Sequence, residues 1–201
     1  MSAMIDTANL KAGFENPVLD SQASFRAALN AFSFPGQRQT FDRLNETPAP
    51  LTLATAGFIL TLADLDTPVW LDGGANIKPV QDFLRFHSGC PLTPDPRAAA
   101  FAIITDAAEA PRLGEFCQGD ELYPDRSATA VFQISSFDEG PLVTARGPGI
   151  KNEIRFQVDG LPEWFWRDWT VNSTNYPLGI DVLLNCGAEA IGLPRSISLE
   201  I

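Results

Sequence analysis

The sequence predicts an α/β fold in which a mixed sheet is covered by helices. Segments with apolar residues at helical spacing alternate with short apolar runs bounded by Gly, Pro and Asp, the sign of buried strands. Some neighbouring strands are joined only by tight turns and others by helices, which calls for a mixed rather than an all-parallel sheet. The 201 residues, 45% of them hydrophobic, are enough to bury one core, and a chain of roughly 100–200 residues is the usual size of one domain.

The elements follow in order. Asp20 or Ser21 is placed to cap a first helix, on which Phe25, Ala28, Leu29 and Phe32 recur at helical spacing and which Pro35-Gly36 ends. Gln37 to Leu44 reads as an edge strand. Past Pro48 and Pro50, Leu51 to Ala63 is apolar on nearly every side, as a helix packed between layers would be. Asp64-Leu65-Asp66-Thr67-Pro68 breaks that helix, and Val69-Trp70-Leu71 is a buried strand. Asn76 then caps a helix running through Phe83, Leu84 and Phe86, with Pro79 tolerated in its first turn and Gly89 just past its end.

Phe101 to Ile104 forms another buried strand, Pro111 to Cys117 a short helix, and Ala128 to Ile134 a further strand. Leu142 to Arg146 and Glu153 to Val158 flank Gly147-Pro148-Gly149, the pattern of a hairpin or a tight corner. Pro162 to Thr170 is a helix carrying Trp164, Trp166 and Trp169, whose rings cannot share one face, so at least one meets solvent or a partner. Ile180 to Leu184, Ala190 to Leu193 and Ile197 to Ile201 supply the last extended segments.

Composition narrows the function. A net charge of −11 repels phosphate backbones, and no basic patch interrupts it, so nucleic-acid binding is set aside. Met1 to Leu10 lacks the basic and apolar regions of a signal peptide, and no segment approaches the ~18 apolar residues of a membrane span, so the chain reads as cytosolic. Cys90, Cys117 and Cys186 are odd in number and far apart, which fits a reducing compartment. Arginine outnumbers lysine, which is limited to Lys11, Lys78 and Lys151, and its planar fork permits an anion site in an acidic protein.

Candidate site residues are few. Asp181 sits inside the apolar run Ile180 to Leu184 and Arg195 just past the next one, and a buried charge must be paired or used. His87, the sole histidine, lies with Arg85 near a helix C-terminus, where it caps a carbonyl or serves a ligand. A metal at His87 and Cys90 needs two further ligands that no Cys pair or second His supplies. No Gly-x-Ser-x-Gly elbow is present, and a thiol nucleophile would have to be Cys90 or Cys186. Gly147-Pro148-Gly149 lacks the P-loop pattern, and Asp64 with Asp66 reads as a helix-ending turn before it reads as a Mg²⁺ site. Arg26, beside Ser21 and Gln22 on the first helix, is a candidate for an anion or interface role.

Taken in order, a set of motifs resembles a known family. They are Gly13-Phe14 with Pro17-Val18, Ser21-Gln22, Phe25-Arg26 and Pro35-Gly36; Leu60-Thr61-Leu62-Ala63-Asp64 with Asp66, Pro68 and Trp70-Leu71; Leu84-Arg85-Phe86-His87; Ser127-Ala128-Thr129; Gly147-Pro148-Gly149-Ile150; Pro177-Leu178-Gly179-Ile180-Asp181; and Leu193-Pro194-Arg195. The ordered set resembles the PhnH subunits of the bacterial carbon-phosphorus lyase core complex. Ser196 stands where the family pattern leads us to expect threonine, and Ala107 to Tyr123 matches weakly. The resemblance runs from residue 13 onward, which leaves 1–12 as a flexible N-terminal segment and 13–201 as a single domain.

This resemblance implies a helix-sheet-helix sandwich like the large domain of pyridoxal-phosphate transferases, without their cofactor site. It implies a cytoplasmic subunit that works with the G, I and J subunits and is a homodimer when isolated. The G and I subunits, with the ATPase-like L subunit, displace adenine from ATP by an alkylphosphonate to give a ribose 1-alkylphosphonate 5-triphosphate, and the iron-sulfur J subunit later breaks the carbon-phosphorus bond. The residues agree on the missing cofactor: Lys151 is the one lysine placed for a Schiff base near a turn, and Asp181 would have to serve as its pyridinium partner. The expected role is shaping the complex, with Arg26, Arg85, His87, Asp181 and Arg195 as ligand or interface candidates, no catalytic residue, no metal and no cofactor. The alternatives are a nucleotide or phosphonate binding module and an autonomous thiol or acid-base enzyme using His87 with Cys90 or Cys186.

Overall fold

A computed structural model of the chain describes residues 10–201; most of the N-terminal segment expected to be flexible therefore lies outside the described residues. Four α-helices are present among them: α1 (Pro17–Ser33), α2 (Leu53–Leu62), α3 (Lys78–His87) and α4 (Glu163–Thr174). The strands are β1 (Gln39–Thr40), β2 (Val69–Leu71), β3 (Leu92–Thr93), β4 (Phe101–Ile104), β5 (Thr129–Gln133), β6 (Leu142–Arg146), β7 (Ile154–Gln157), β8 (Asp181–Cys186), β9 (Glu189–Leu193) and β10 (Ser198–Glu200). Seven of them form a mixed sheet in the order β1-β9-β8-β5-β4-β2-β3, and β10-β6-β7 form a second, antiparallel sheet. In the large sheet β9 runs antiparallel to both neighbours, while the other pairings are parallel.

The strands of the large sheet are buried on both faces, so their residues alternate between two cores. Ala102, Ile104, Ala130, Phe132, Val182 and Leu184 point to one side, where Phe165 and Trp169 of α4 and Val143 and Phe156 of the small sheet cover them. Ile103, Val131 and Leu183 point to the other, against Ala28 and Ala31 of α1, Phe58 and Ile59 of α2, and Val80, Phe83 and Leu84 of α3. The molecule is thus three layers, with helices on one face of the large sheet and α4 plus the small sheet on the other.

Several boundaries differ from those the sequence suggests. The cap of α1 is Asn16, not Asp20 or Ser21: Asn16 Oδ1 accepts from Leu19 N at 3.2 Å while Asp20, inside the first turn, accepts from Asn16 N at 2.8 Å. The buried face of α1 is Ser24, Ala28 and Ala31, and the larger Phe25 and Leu29 are exposed. The cause is close approach: a Cβ on Gly192 of β9 would stand 2.5 Å from the Ala31 carbonyl oxygen. Only small side chains fit where a helix backbone lies that near a strand, so the bulky residues turn outward.

Ile77 precedes α3 without a side-chain cap, and Asn76 Oδ1 instead accepts from Gln81 Nε2 at 2.7 Å. Between Pro111 and Cys117 the chain makes only a 3-10 turn at Leu113–Glu115, pinned where Leu113 N donates to Asp168 at 3.1 Å. The edge strand shrinks to two residues; just past it, Phe41 is buried in the core and donates from N to Ala188 O at 2.7 Å. The Gly147-Pro148-Gly149 hairpin forms as expected between β6 and β7. On α4, Trp169 is buried and donates from Nε1 to Ile197 O at 3.1 Å, while Trp164 and Trp166 are partly exposed. No helix among the described residues is long and apolar enough to cross a membrane.

Candidate functional site

The two charges embedded in the C-terminal strands find each other. Arg195 donates from Nη2 to Asp181 Oδ2 at 2.6 Å and from Nε to Oδ1 at 3.1 Å, and its backbone N reaches Oδ1 at 2.8 Å. Its remaining nitrogen, Nη1, donates to Pro124 O at 2.9 Å and lies 3.5 Å from Pro177 O. The side chains are 12% and 25% exposed, so this bidentate pair is largely desolvated and its donors are spent on the protein itself. Asp181 pairs with Thr129 at the amino end of the parallel strands. Ligand sites of α/β sheets form at the opposite, carboxyl end.

That carboxyl end carries polar residues that the sequence reading passed over. Asp72, buried directly after β2, accepts from Thr105 N at 2.6 Å, from Thr105 Oγ1, from Asp106 N at 3.0 Å and from Ala75 N at 2.7 Å. Nearby, Thr52 at the start of α2 donates to Asn185 Oδ1 at 2.5 Å, and its N donates to Gln133 Oε1 at 2.8 Å, an oxygen that also accepts from Thr55. The first network ties the end of β2 to the end of β4, and the second ties the ends of β5 and β8 to the start of α2. The available sign was a polar residue closing an apolar run, as in Leu183-Leu184-Asn185 and Trp70-Leu71-Asp72.

His87 occupies a different place. Its Nε2 lies 2.9 Å from Lys11 O; a carbonyl can only accept, so Nε2 carries the proton. The ring is flanked by Phe83 and Phe86, with centroids 4.8 and 5.0 Å away, and a Cβ on Gly13 would fall 2.7 Å from Nδ1. Lys11 also pairs with Glu46 at 2.6 Å, and Asn45 donates to Glu15 at 2.6 Å. His87 therefore clasps the segment leading into α1. Beside it opens a cleft of about 350 Å³ lined by Gly13, Phe14, Pro17, Ser21, Leu60, Thr61 and His87. Three stretches of the motif set, far apart in the chain, converge on this one cleft.

The remaining candidates are not drawn into it. Arg26 is exposed on α1, and Arg85 is half-buried in the last turn of α3 with its charge near the Cys90 thiol. Burial pushes that thiol up, outweighing the hydroxyl of Ser88 and the pull of Arg85. Cys186 donates to Ser135 O at 3.4 Å, and His87 faces Lys11, so no thiol-imidazole pair forms. The residues do not fit pyridoxal phosphate either: Lys151 is exposed in the β6–β7 turn beside Pro35 and Gln37, and Asp181 is committed to Arg195. Asp64 accepts from Asp66 N at 3.0 Å and from Thr67 Oγ1 at 2.6 Å, the geometry of a turn. No cluster of three or more metal-binding side chains occurs among the described residues.

The ion pair between Arg112 and Asp168 was not foreseen. Arg112 grips Asp168 of α4 through Nε at 2.7 Å and through Nη2, and its guanidinium lies 5.1 Å from the Trp164 ring centroid. The pair borders a cleft of about 250 Å³ that also includes Gly114, Gln118, Val171, Asn172 and Asn175.

Comparison with known proteins decides the family. The profile of the family described as "Bacterial phosphonate metabolism protein (PhnH)" matches residues 12–200. The chain belongs to the PhnH family. Among curated relatives, it is 35% identical over 187 residues, 93% of this chain and 94% of the relative, to the "Alpha-D-ribose 1-methylphosphonate 5-triphosphate synthase subunit PhnH" of Rhizobium meliloti (strain 1021). It is 28% identical over 184 residues, 90% of this chain and 86% of the relative, to the "Putative C-P lyase subunit protein HtxG" of Stutzerimonas stutzeri. Two groups of the PhnH motifs are thus placed: one builds the His87 cleft between α1, α2 and α3, and another, from Pro177 to Arg195, fastens β8 and β9 to the loops around them.

Proposed function

We propose that the chain is a cytoplasmic, non-autonomous subunit of a carbon-phosphorus lyase core assembly. In this reading it works with the G, I and J subunits and supports the formation of α-D-ribose 1-alkylphosphonate 5-triphosphate from ATP and an alkylphosphonate. The observation that carries the reading is the near full-length match to a relative named as a subunit of that synthase. The geometry favours a shaping role over chemistry of its own, because the charged groups best placed for a site, Arg195 and Asp181, are consumed in holding two loops and two strands together.

Two finer points go with it. The single antiparallel strand β9 in an otherwise parallel seven-stranded sheet supports a fold like the large domain of pyridoxal-phosphate transferases, with residues 13–201 as one domain. The exposed stripe Val18, Phe25 and Leu29 along α1 supports a homodimer of the isolated chain, since an apolar helical stripe of this kind is removed from water by self-association. A binding-module function ranks lower: the His87 cleft offers two hydroxyls and one imidazole, and neither Arg26 nor Arg85 lines it, whereas a triphosphate calls for guanidinium or ammonium groups.

The test is co-expression of the tagged chain with the G, I and J subunits, followed by mass measurement and assay of adenine release from ATP and methylphosphonate with the L subunit added. The expected result is a stoichiometric assembly whose activity needs this chain. Failure to co-purify, or adenine release by the chain alone, contradicts the reading.

A further inference from the structure

Arg195 Nη1 lies within 3.5 Å of both Pro124 O and Pro177 O, so one guanidinium sits beneath two loops at once. The loops are also joined directly, with Gly179 N donating to Gln118 O at 3.0 Å. Each raises large apolar side chains into solvent immediately before its proline: Leu122 is 83% exposed, Tyr123 46% and Tyr176 62%. Because the two loops are joined at their bases, these exposed side chains share one region of the surface rather than being scattered over it.

The patch is held rigidly. Asp120 Oδ1 accepts from Leu122 N at 2.9 Å and from Tyr123 N at 2.8 Å, and Gly119, at φ +73°, would bring a Cβ to 2.8 Å from Pro124 O. Arg126 stacks on the Tyr123 ring, 3.9 Å from its centroid. Leu122 therefore projects because the loop is closed beneath it. A loop backbone already fixed before binding loses little entropy on contact, which favours its use as an interface anchor. The charge around them is net acidic: Asp120, Glu121 and Asp125 are exposed and outnumber the one cation of the loop, Arg126, which lies exposed over the Tyr123 ring.

We propose that Leu122, Tyr123 and Tyr176 form a docking surface for a partner protein with a basic, apolar-centred face, distinct from the α1 stripe proposed for self-association. The sign of the charge selects the occupant. Two copies of a chain with net charge −11, brought together on this face, would set Glu121 and Asp125 against their own kind, whereas a basic partner is both steered toward it and paired on arrival. The inference rests on the multi-subunit reading and names the face through which one of the other subunits is met.

The test uses the full chain co-expressed with the G, I and J subunits, in wild type, in a Leu122→Ala/Tyr176→Ala double variant, and in a Glu121→Lys/Asp125→Lys double variant. The expected result is that both variants keep the wild-type melting temperature and self-association while their recovery in the assembly falls by about tenfold or more. Wild-type recovery should also decline as salt is raised from about 0.1 M, where charges are screened beyond ~10 Å, toward 1 M. If both variants assemble like wild type, or if the truncations abolish self-association instead, this surface is not the docking face while the subunit reading stands. If the wild-type chain itself fails to assemble, the subunit reading falls and this inference falls with it.

Discussion

Arg195 and Asp181 are fourteen positions apart in sequence and joined by two side-chain hydrogen bonds, at 2.6 and 3.1 Å, and a backbone bond at 2.8 Å. The pair ties the start of β8 to the chain leaving β9, and the spare Nη1 closes two loops over it. Removing one partner leaves the other charge half-buried with its donors or acceptors unmet, a larger penalty than deleting the whole pair. Arg195→Ala should therefore cost about 2–4 kcal/mol, a melting point lower by roughly 5–15 °C for a chain of this size. Arg195→Lys should recover only part of the loss, because an ammonium cannot reproduce the fork. Calorimetry on the two variants and on the Asp181→Ala/Arg195→Ala pair reads this out; a double variant that is no more stable than the sum of the single losses predicts would count against coupling.

What was legible in the sequence was the period of the longer elements. The runs at Val69–Leu71, Phe101–Ile104 and Asp181–Cys186 are nearly unbroken apolar stretches, and such runs fit strands covered on both faces. The helix at Leu53–Leu62 is apolar all round because it lies within a layer. The buried face of α1 was not legible, since it is decided by the approach of Gly192 from a strand more than 150 positions later in the sequence. The same holds for the site. That Asp181 and Arg195 need partners follows from their apolar setting; that they partner each other, and that His87 faces Lys11, depends on long-range contacts that no local spacing records.

The acid limb of stability should be set by exposed carboxylates that are held ionised. The Arg146 guanidinium, with help from Arg155, keeps Glu153 below its ordinary value of 4.5. Lys11 does the same for Glu46, and the Thr67 hydroxyl holds Asp64 below 3.8. Folded values below the ordinary ones mean that this stabilisation is complete above the ordinary carboxylate range and drains away as pH falls through the lowered values. Denaturant midpoints should be flat between about pH 7 and about pH 5 and decline below about pH 4. Glu153→Gln should be less stable than wild type at neutral pH and should lose less on acidification; an identical acid limb in the two proteins would remove Glu153 from the account.

The clasp at His87 depends on the absence of a side chain at residue 13. A methyl group there would stand 2.7 Å from Nδ1, so Gly13→Ala must displace either the ring or the segment it holds. The expected outcome is faster limited proteolysis before Pro17, with loss of the imidazole signal characteristic of the Nε2-protonated ring and little change in the rest of the spectrum. His87→Ala removes the donor to Lys11 O and should release the same segment at a cost of about 1–2 kcal/mol. Unchanged cleavage rates in both variants would show that the segment is held by the Lys11–Glu46 and Asn45–Glu15 contacts alone.

The contact of α1 with β9 offers the sharpest test of the packing. A Cβ at Gly192 would lie 2.5 Å from the Ala31 carbonyl oxygen, 2.6 Å from its carbon and 2.9 Å from Phe32 N, all backbone atoms of the last turn of α1 that no rotamer change can move aside. Gly192→Ala should therefore lift α1 from the sheet and destabilise the fold by about 1–3 kcal/mol or more, the usual range for overpacking. Because α1 also carries the exposed stripe of Val18, Phe25 and Leu29, the shift should also weaken the self-association proposed for that stripe. Phe25→Asp, at an exposed position of α1, should weaken the proposed self-association while leaving the melting point of the monomer near its original value. Comparing the two by sedimentation and calorimetry separates the inner contact of α1 from its outer one: if Gly192→Ala left stability unchanged, the helix would have to lie further from β9 than the Ala31 contact requires.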